Sequence, residues 1–251
     1  MNNPLRKLSR FVRTLSLGVL SLTLVSTVLS VGMTSAASAA TGLSEAATFP
    51  VNTEVIGGNT LTINPQKVGD LVVFDSEINS QTITVTAVSC PETGTWHLAT
   101  RYHDTVNGVI TEETWWAVAT ATGSTKITAT YSSSIATLSP ELVSDSFTTS
   151  SPSTWSFVAA NGAAASSTTS IAFPTITSGA AAAQVYWGYV ESTATALPGG
   201  TAGFTYSPTA EGNLTTSNTN LLANTVYAPT AVETPVSNNT SIGAIFTATP
   251  S

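Results

Sequence analysis

The chain is poor in most of the residues that usually mark a site of chemistry. One cysteine, Cys90, occurs in 251 residues, so no disulfide can form within the chain and no paired-cysteine zinc site is available. The two histidines, His97 and His103, stand six apart in a strand-like stretch. That separation is on the order of 20 Å, too far for them to share an ion. No G-x-S-x-G turn is present to display a hydrolase serine. Charged residues make up 8% of the chain, against a usual quarter. Basic charge is the scarcest. Arg6, Lys7, Arg10 and Arg13 crowd the first residues, and only Lys67, Arg101 and Lys126 follow. Beyond the leader those three bases face 14 acids, a net charge of −11. Such a balance repels phosphate backbones and anionic lipids, which excludes nucleic acid as a partner.

What is present begins with a leader. The basic end precedes the apolar run "TLSLGVLSLTLVSTVLSVGM" and then "TSAASAA", in which Ala37-Ser38-Ala39 fits the small-x-small rule of signal peptidase. Residues 1–39 read as a signal peptide, and the protein is expected to be secreted, with no membrane contact after cleavage. An uncleaved anchor is the alternative, since about 20 apolar residues can span a bilayer.

After residue 54 nearly every segment alternates with a period of two. Clear examples are "LVVFDSEI" (71–78), "TWHLATRYH" (95–103), "VITEETWWAVAT" (109–120), "QVYWGYV" (184–190) and "IGAIFTAT" (242–249). Turn signals such as Gly57-Gly58-Asn59, Asn107-Gly108 and Asn161-Gly162 separate them. Short strands at this spacing predict an all-β protein, a β-sandwich of jelly-roll or immunoglobulin-like type. The stretch 60–78 echoes 169–190, which suggests two related halves, about 54–150 and 151–251, sharing one core. Residues 40–53 form an N-terminal arm, either a loose lead-in or a strand that adds to a neighbour's sheet edge. The run "VYWGYV" is apolar on both faces and reads as a central buried strand, not an exposed aromatic platform.

The stretch "RYHDTVNGVITEETWWAV" (101–118) concentrates the rare residues. Asn107-Gly108 predicts a two-residue hairpin loop. Its register would place His103 opposite Glu112, Arg101 opposite Thr114, Ala99 opposite Trp116 and His97 opposite Val118. Arg101, His103 and Glu112 would then form a structural charge cluster on one face. Glu112 and Glu113 point to opposite faces, so they cannot serve as a glycosidase pair. Asp70, Asp75 and Glu77 in "GDLVVFDSE" are the metal candidates: hard oxygen ligands suit Ca2+, although no EF-hand loop surrounds them. A solvated acidic face is the competing and preferred reading.

The segments "GDLVVFDSEI", "TWWAVATATGSTKITATYS", "STTSIAFPTITSGAAAAQVYWGYV" and "GFTYSPTAEGN" resemble a β-sandwich family of exported bacterial and phage tail-associated proteins. The resemblance spans about residues 60–250 and rests on strand patterns. It implies an extracellular or virion-surface domain without an assigned reaction, and it carries no functional residue over. The clear leader favours a cellular exported product over a virion part. The expectation is a secreted, non-catalytic structural protein of the cell surface or matrix. It would self-associate into filaments or layers through sheet edges or the arm, or hold a cell-surface polymer. A secreted carbohydrate- or surface-binding module is the second reading, and a secreted hydrolase the third.

Overall fold

A computed structural model describes residues 42–45 and 53–251. The leader, with Arg6, Lys7, Arg10 and Arg13, and most of the 40–53 arm lie outside the described residues. No helix occurs among the described residues, and the fold is all-β, as the alternation predicts. The first strands are β1 (Ser44–Glu45), β2 (Thr53–Ile56), β3 (Thr60–Ile63), β4 (Leu71–Ile78), β5 (Val85–Ser89), β6 (His97–His103), β7 (Thr111–Val118), β8 (Thr125–Tyr131) and β9 (Glu141–Thr148). Then come β10 (Ser153–Ala172), β11 (Ile176–Thr177), β12 (Gln184–Ser192), β13 (Thr195–Leu197), β14 (Thr205–Pro208), β15 (Leu214–Asn218), β16 (Val226–Tyr227) and β17 (Thr230–Pro250).

These strands form four antiparallel sheets. A main sheet runs β1-β9-β4-β7-β6, with β2 also on β9, and a cap sheet runs β3-β8-β5. A second large sheet runs β10-β17-β12-β15-β14, with β13 on β17, and β11 pairs with β16 in a short ribbon. The longer strands of the two echoing stretches are β4 and β12, each the central strand of its sheet.

Alternation along β4 explains the layering, because successive side chains point to opposite faces. Val72 and Phe74 pack with Leu61, Ile63, Val85 and Ile127 under the cap sheet. Leu71 and Val73 pack with Val185, Trp187, Tyr189, Ile242 and Phe246 of the second sheet. The main sheet is therefore covered on both faces, and all eight residues of β4 are buried. The run "VYWGYV" is a core strand, with Tyr186, Trp187 and Tyr189 at 0% exposure. Each such ring contributes on the order of 1.5–3 kcal/mol by burial. Beyond the second sheet, Tyr186 and Ile245 pack with Ile176 of the ribbon and with Leu221.

One predicted turn is absent. Asn161-Gly162 continues through β10, where Asn161 pairs with Gly243 and Gly162 with Ile242 of β17. The reason is packing across sheets. A Cβ at position 162 would lie 2.1 Å from Tyr102 Cγ, so glycine here makes room for a ring rather than for a turn.

That contact generates a test. Gly162→Ala is expected to destabilise the protein by about 1–3 kcal/mol through overpacking. In a Tyr102→Ala background the same substitution should cost clearly less. Urea unfolding of the four proteins of the cycle measures the difference, and equal costs in both backgrounds would disprove the steric account.

Candidate functional site

The β6–β7 connection is longer than the two-residue turn that Asn107-Gly108 predicts. Asp104 N–H donates to Ile110 O (2.9 Å) and closes a wider loop, in which Gly108 takes a φ of 79°. The buried Asp104 carboxylate organises the loop: Oδ1 accepts the N–H groups of Val106 (2.7 Å) and Asn107 (2.9 Å). Its Oδ2 accepts Asn107 Nδ2 (2.8 Å) and, from β17, Thr240 Oγ1 (2.8 Å). Burial pushes the Asp104 carboxyl up, but these donors outweigh it and hold the group below its ordinary range.

The wider loop shifts the hairpin register by one residue, and a one-residue slip exchanges faces. His103 lies opposite Thr111, Tyr102 opposite Glu112 and Arg101 opposite Glu113. A bulge between Leu98 and Thr100 then brings Leu98 opposite Trp115 and His97 opposite Trp116. The expected cluster of Arg101, His103 and Glu112 therefore does not form. Arg101 Nη2 bonds Glu113 Oε2 at 3.0 Å and also donates to Val85 O at 3.2 Å. Glu113 Oε1 accepts the Val85 N–H at 2.7 Å, so this pair stitches the hairpin to the cap sheet. His103 is exposed, with Nδ1 2.8 Å from Thr111 Oγ1.

Glu112 turns the other way, into the layer between the main and second sheets. Opposite it on β4 is Glu77, which is itself opposite Glu141 on β9. Asp75 lies on the same face two residues along β4. Asp75, Glu77 and Glu112 are all at 0% exposure, which overturns the solvated acidic face read from the sequence. Asp75 Oδ2 accepts Thr114 Oγ1 at 2.6 Å. Glu141 Oε2 accepts Tyr189 Oη of β12 at 3.1 Å and, from just before β15, Asn213 Nδ2 at 2.6 Å. Farther along the second sheet, Glu233 accepts Ser192 Oγ (2.5 Å) and Asn239 Nδ2 (2.7 Å).

The electrostatics follow from burial without nearby bases. Desolvation, helped by the neighbouring Glu113 charge and opposed by the Thr114 bond, pushes the Asp75 carboxyl up to about 7. Desolvation and then the charges of Asp75, Glu77 and Glu191 push Glu112 well above the ordinary carboxylate range. Asp75 and Glu112 are thus both biased toward their protonated forms.

The calcium set does not converge. Asp70 precedes β4 and is five residues from Asp75, about 16 Å along an extended strand. It is buried near Lys67 and Thr148, with desolvation as the largest influence raising its pKa. Among the described residues no three His, Cys, Asp or Glu side chains are grouped to hold a metal ion. Sequence reasoning missed Asp104, Glu113 as the Arg101 partner, and Glu141. A signal for the first existed, because an aspartate three residues before Asn-Gly can cap a turn. A signal for the acids existed too: a strand apolar on both faces buries its polar residues as well. No protein-family model, curated protein or solved structure matches the chain.

The raised carboxyls predict the pH dependence of stability. A group whose pKa is higher folded than unfolded contributes fully below its unfolded value, and that contribution is lost as pH rises through the folded value. For Asp75 the interval runs from the ordinary aspartate value of 3.8 to about 7. Urea midpoints should therefore fall as pH rises from about 5 to about 8. Thr114→Val removes the bond that lowers the Asp75 pKa and should move the falling limb to higher pH. A midpoint that climbs over this range would refute the raised carboxyls of Asp75 and Glu112.

Proposed function

We propose that the protein is a secreted, non-catalytic structural component of the cell surface or extracellular matrix, and that copies of it associate edge to edge. The observation that carries this reading is β10. Among the described residues it pairs only with β17, which leaves its other side a sheet edge, and its 20 residues contain no charge and no proline. Edge strands that must stay single are normally short, charged or interrupted by proline. β10 has three register shifts against β17 but none of those other safeguards.

The surface charge supports the same reading. Asp70, Asp75, Glu77, Asp104, Glu112, Glu113, Asp145 and Glu233 are buried. The outside of the molecule is therefore far less acidic than its composition suggests, and like-charge repulsion between copies is small. The arm supports it as well: Ser44 and Glu45 pair with Thr148 and Phe147 of β9, a contact short enough to exchange between copies. Secretion rests on the leader, and the resemblance to exported β-sandwich proteins is in keeping with it.

Negative-stain electron microscopy and light scattering of the purified protein test the proposal. Filaments or sheets are expected. A variant with lysines at exposed positions of β10, Ser156→Lys with Thr169→Lys, should give single particles while unfolding at the same urea concentration. Single particles from the unaltered protein under every condition would sink the proposal.

A further inference from the structure

Two Asn-Gly pairs occur in the chain, Asn107-Gly108 and Asn161-Gly162. Asparagine is chemically labile, and most so before glycine. The next backbone nitrogen can attack the side-chain carbonyl, and glycine has no side chain to hinder it. The fold treats the two pairs differently.

Asn107 is held away from that reaction. Its Nδ2 donates to Asp104 Oδ2 at 2.8 Å and lies 3.3 Å from Ala165 O and 3.4 Å from Asn239 O. The Gly108 N–H, which would have to attack, donates instead to Asp104 O at 3.2 Å. Asn161 is exposed, and its own Oδ1 accepts the Gly162 N–H at 2.9 Å. The attacking nitrogen is thus held beside the carbonyl it must reach, and proximity of this kind supplies much of a lowered barrier. A side chain at position 162 would hinder the attack, but Tyr102 fills the space its Cβ would need.

We propose that Asn161 is a self-modification site, at which an uncharged edge strand acquires a negative charge. The Gly162 N–H gives its proton to hydroxide, and the nitrogen bonds Asn161 Cγ. The Cγ–Nδ2 bond breaks, and ammonia leaves with a proton from water. Water then opens the cyclic imide at either carbonyl, which leaves an aspartate or an isoaspartate at position 161. The net change is amide plus water to carboxylic acid plus ammonia, and an exposed acid is ionised at neutral pH. β10 has no charge of its own, so this carboxylate supplies the guard that the edge lacks. An isoaspartate goes further, because it adds a carbon to the main chain beside the contact of Gly162 with Tyr102. The modification is then a brake on assembly that tightens with age. That consequence rests on the association proposed above, whereas the modification itself does not.

Peptide mapping by mass spectrometry, on purified protein kept for weeks in neutral buffer with and without unfolding urea, decides the modification. In the folded protein, deamidation at Asn161 is expected to run at least about fivefold ahead of Asn107, and in urea the two rates should converge. Asn161 lagging behind Asn107 when folded, or the same ratio in urea, would overturn the proposal. Light scattering of Asn161→Asp beside Asn161→Gln, which keeps the site neutral, reads the effect on assembly. Asn161→Asp should assemble less, and equal assembly of the two would overturn the brake. If the unaltered protein does not assemble at all, the association reading fails and the brake with it, while the map still decides the modification.

Discussion

Covering the main sheet on both faces is the constraint from which most other features follow. Its central strand meets the cap sheet on one side and the second large sheet on the other, so every side chain of β4 must be satisfied inside the protein. The first half of the strand meets this with Leu71, Val72, Val73 and Phe74. The second half brings Asp75 and Glu77 into the same interior, beside Glu112 of β7. Buried carboxylates without bases are tolerated only when protonated or hydrogen-bonded. Glu113 points to the other face, toward the cap sheet, where Arg101 of β6 and the Val85 N–H both bond its carboxylate.

Polar bonds then fix how the two large sheets meet. An apolar interface alone tolerates sliding, whereas a buried donor and acceptor match in few arrangements. Tyr189 and Asn213 reach Glu141 from one side. At the far end, Thr240 reaches Asp104, and Asn107 Nδ2 lies 3.3 Å from Ala165 O of β10. The loop that looked like a simple hairpin turn is thus a clasp between sheets. Gly162 beneath Tyr102 completes the fit by letting β10 approach β6.

The same arrangement bears on what the protein does. With eight acids drawn inward, the outside is less acidic than the composition alone suggests. The uncharged 20-residue edge of β10 is the feature of that outside on which the proposed association rests.

The period-two pattern determined by itself that the chain is all-β and where most strands run, because alternation is a local property of each segment. It also marked "VYWGYV" as core, since a run apolar on both faces has nowhere else to go. The Arg101 partner, the fate of Asp75 and Glu77, and the role of Gly162 were decided by tertiary structure alone. Each depends on a residue far along the chain: Arg101 on a register set by the Asp104 cap, the acids on a second sheet closing over them, Gly162 on the ring of Tyr102. Local pattern tells which residues share a face of a strand, but not what will cover that face. The physical chemistry of a carboxylate turns on what covers it.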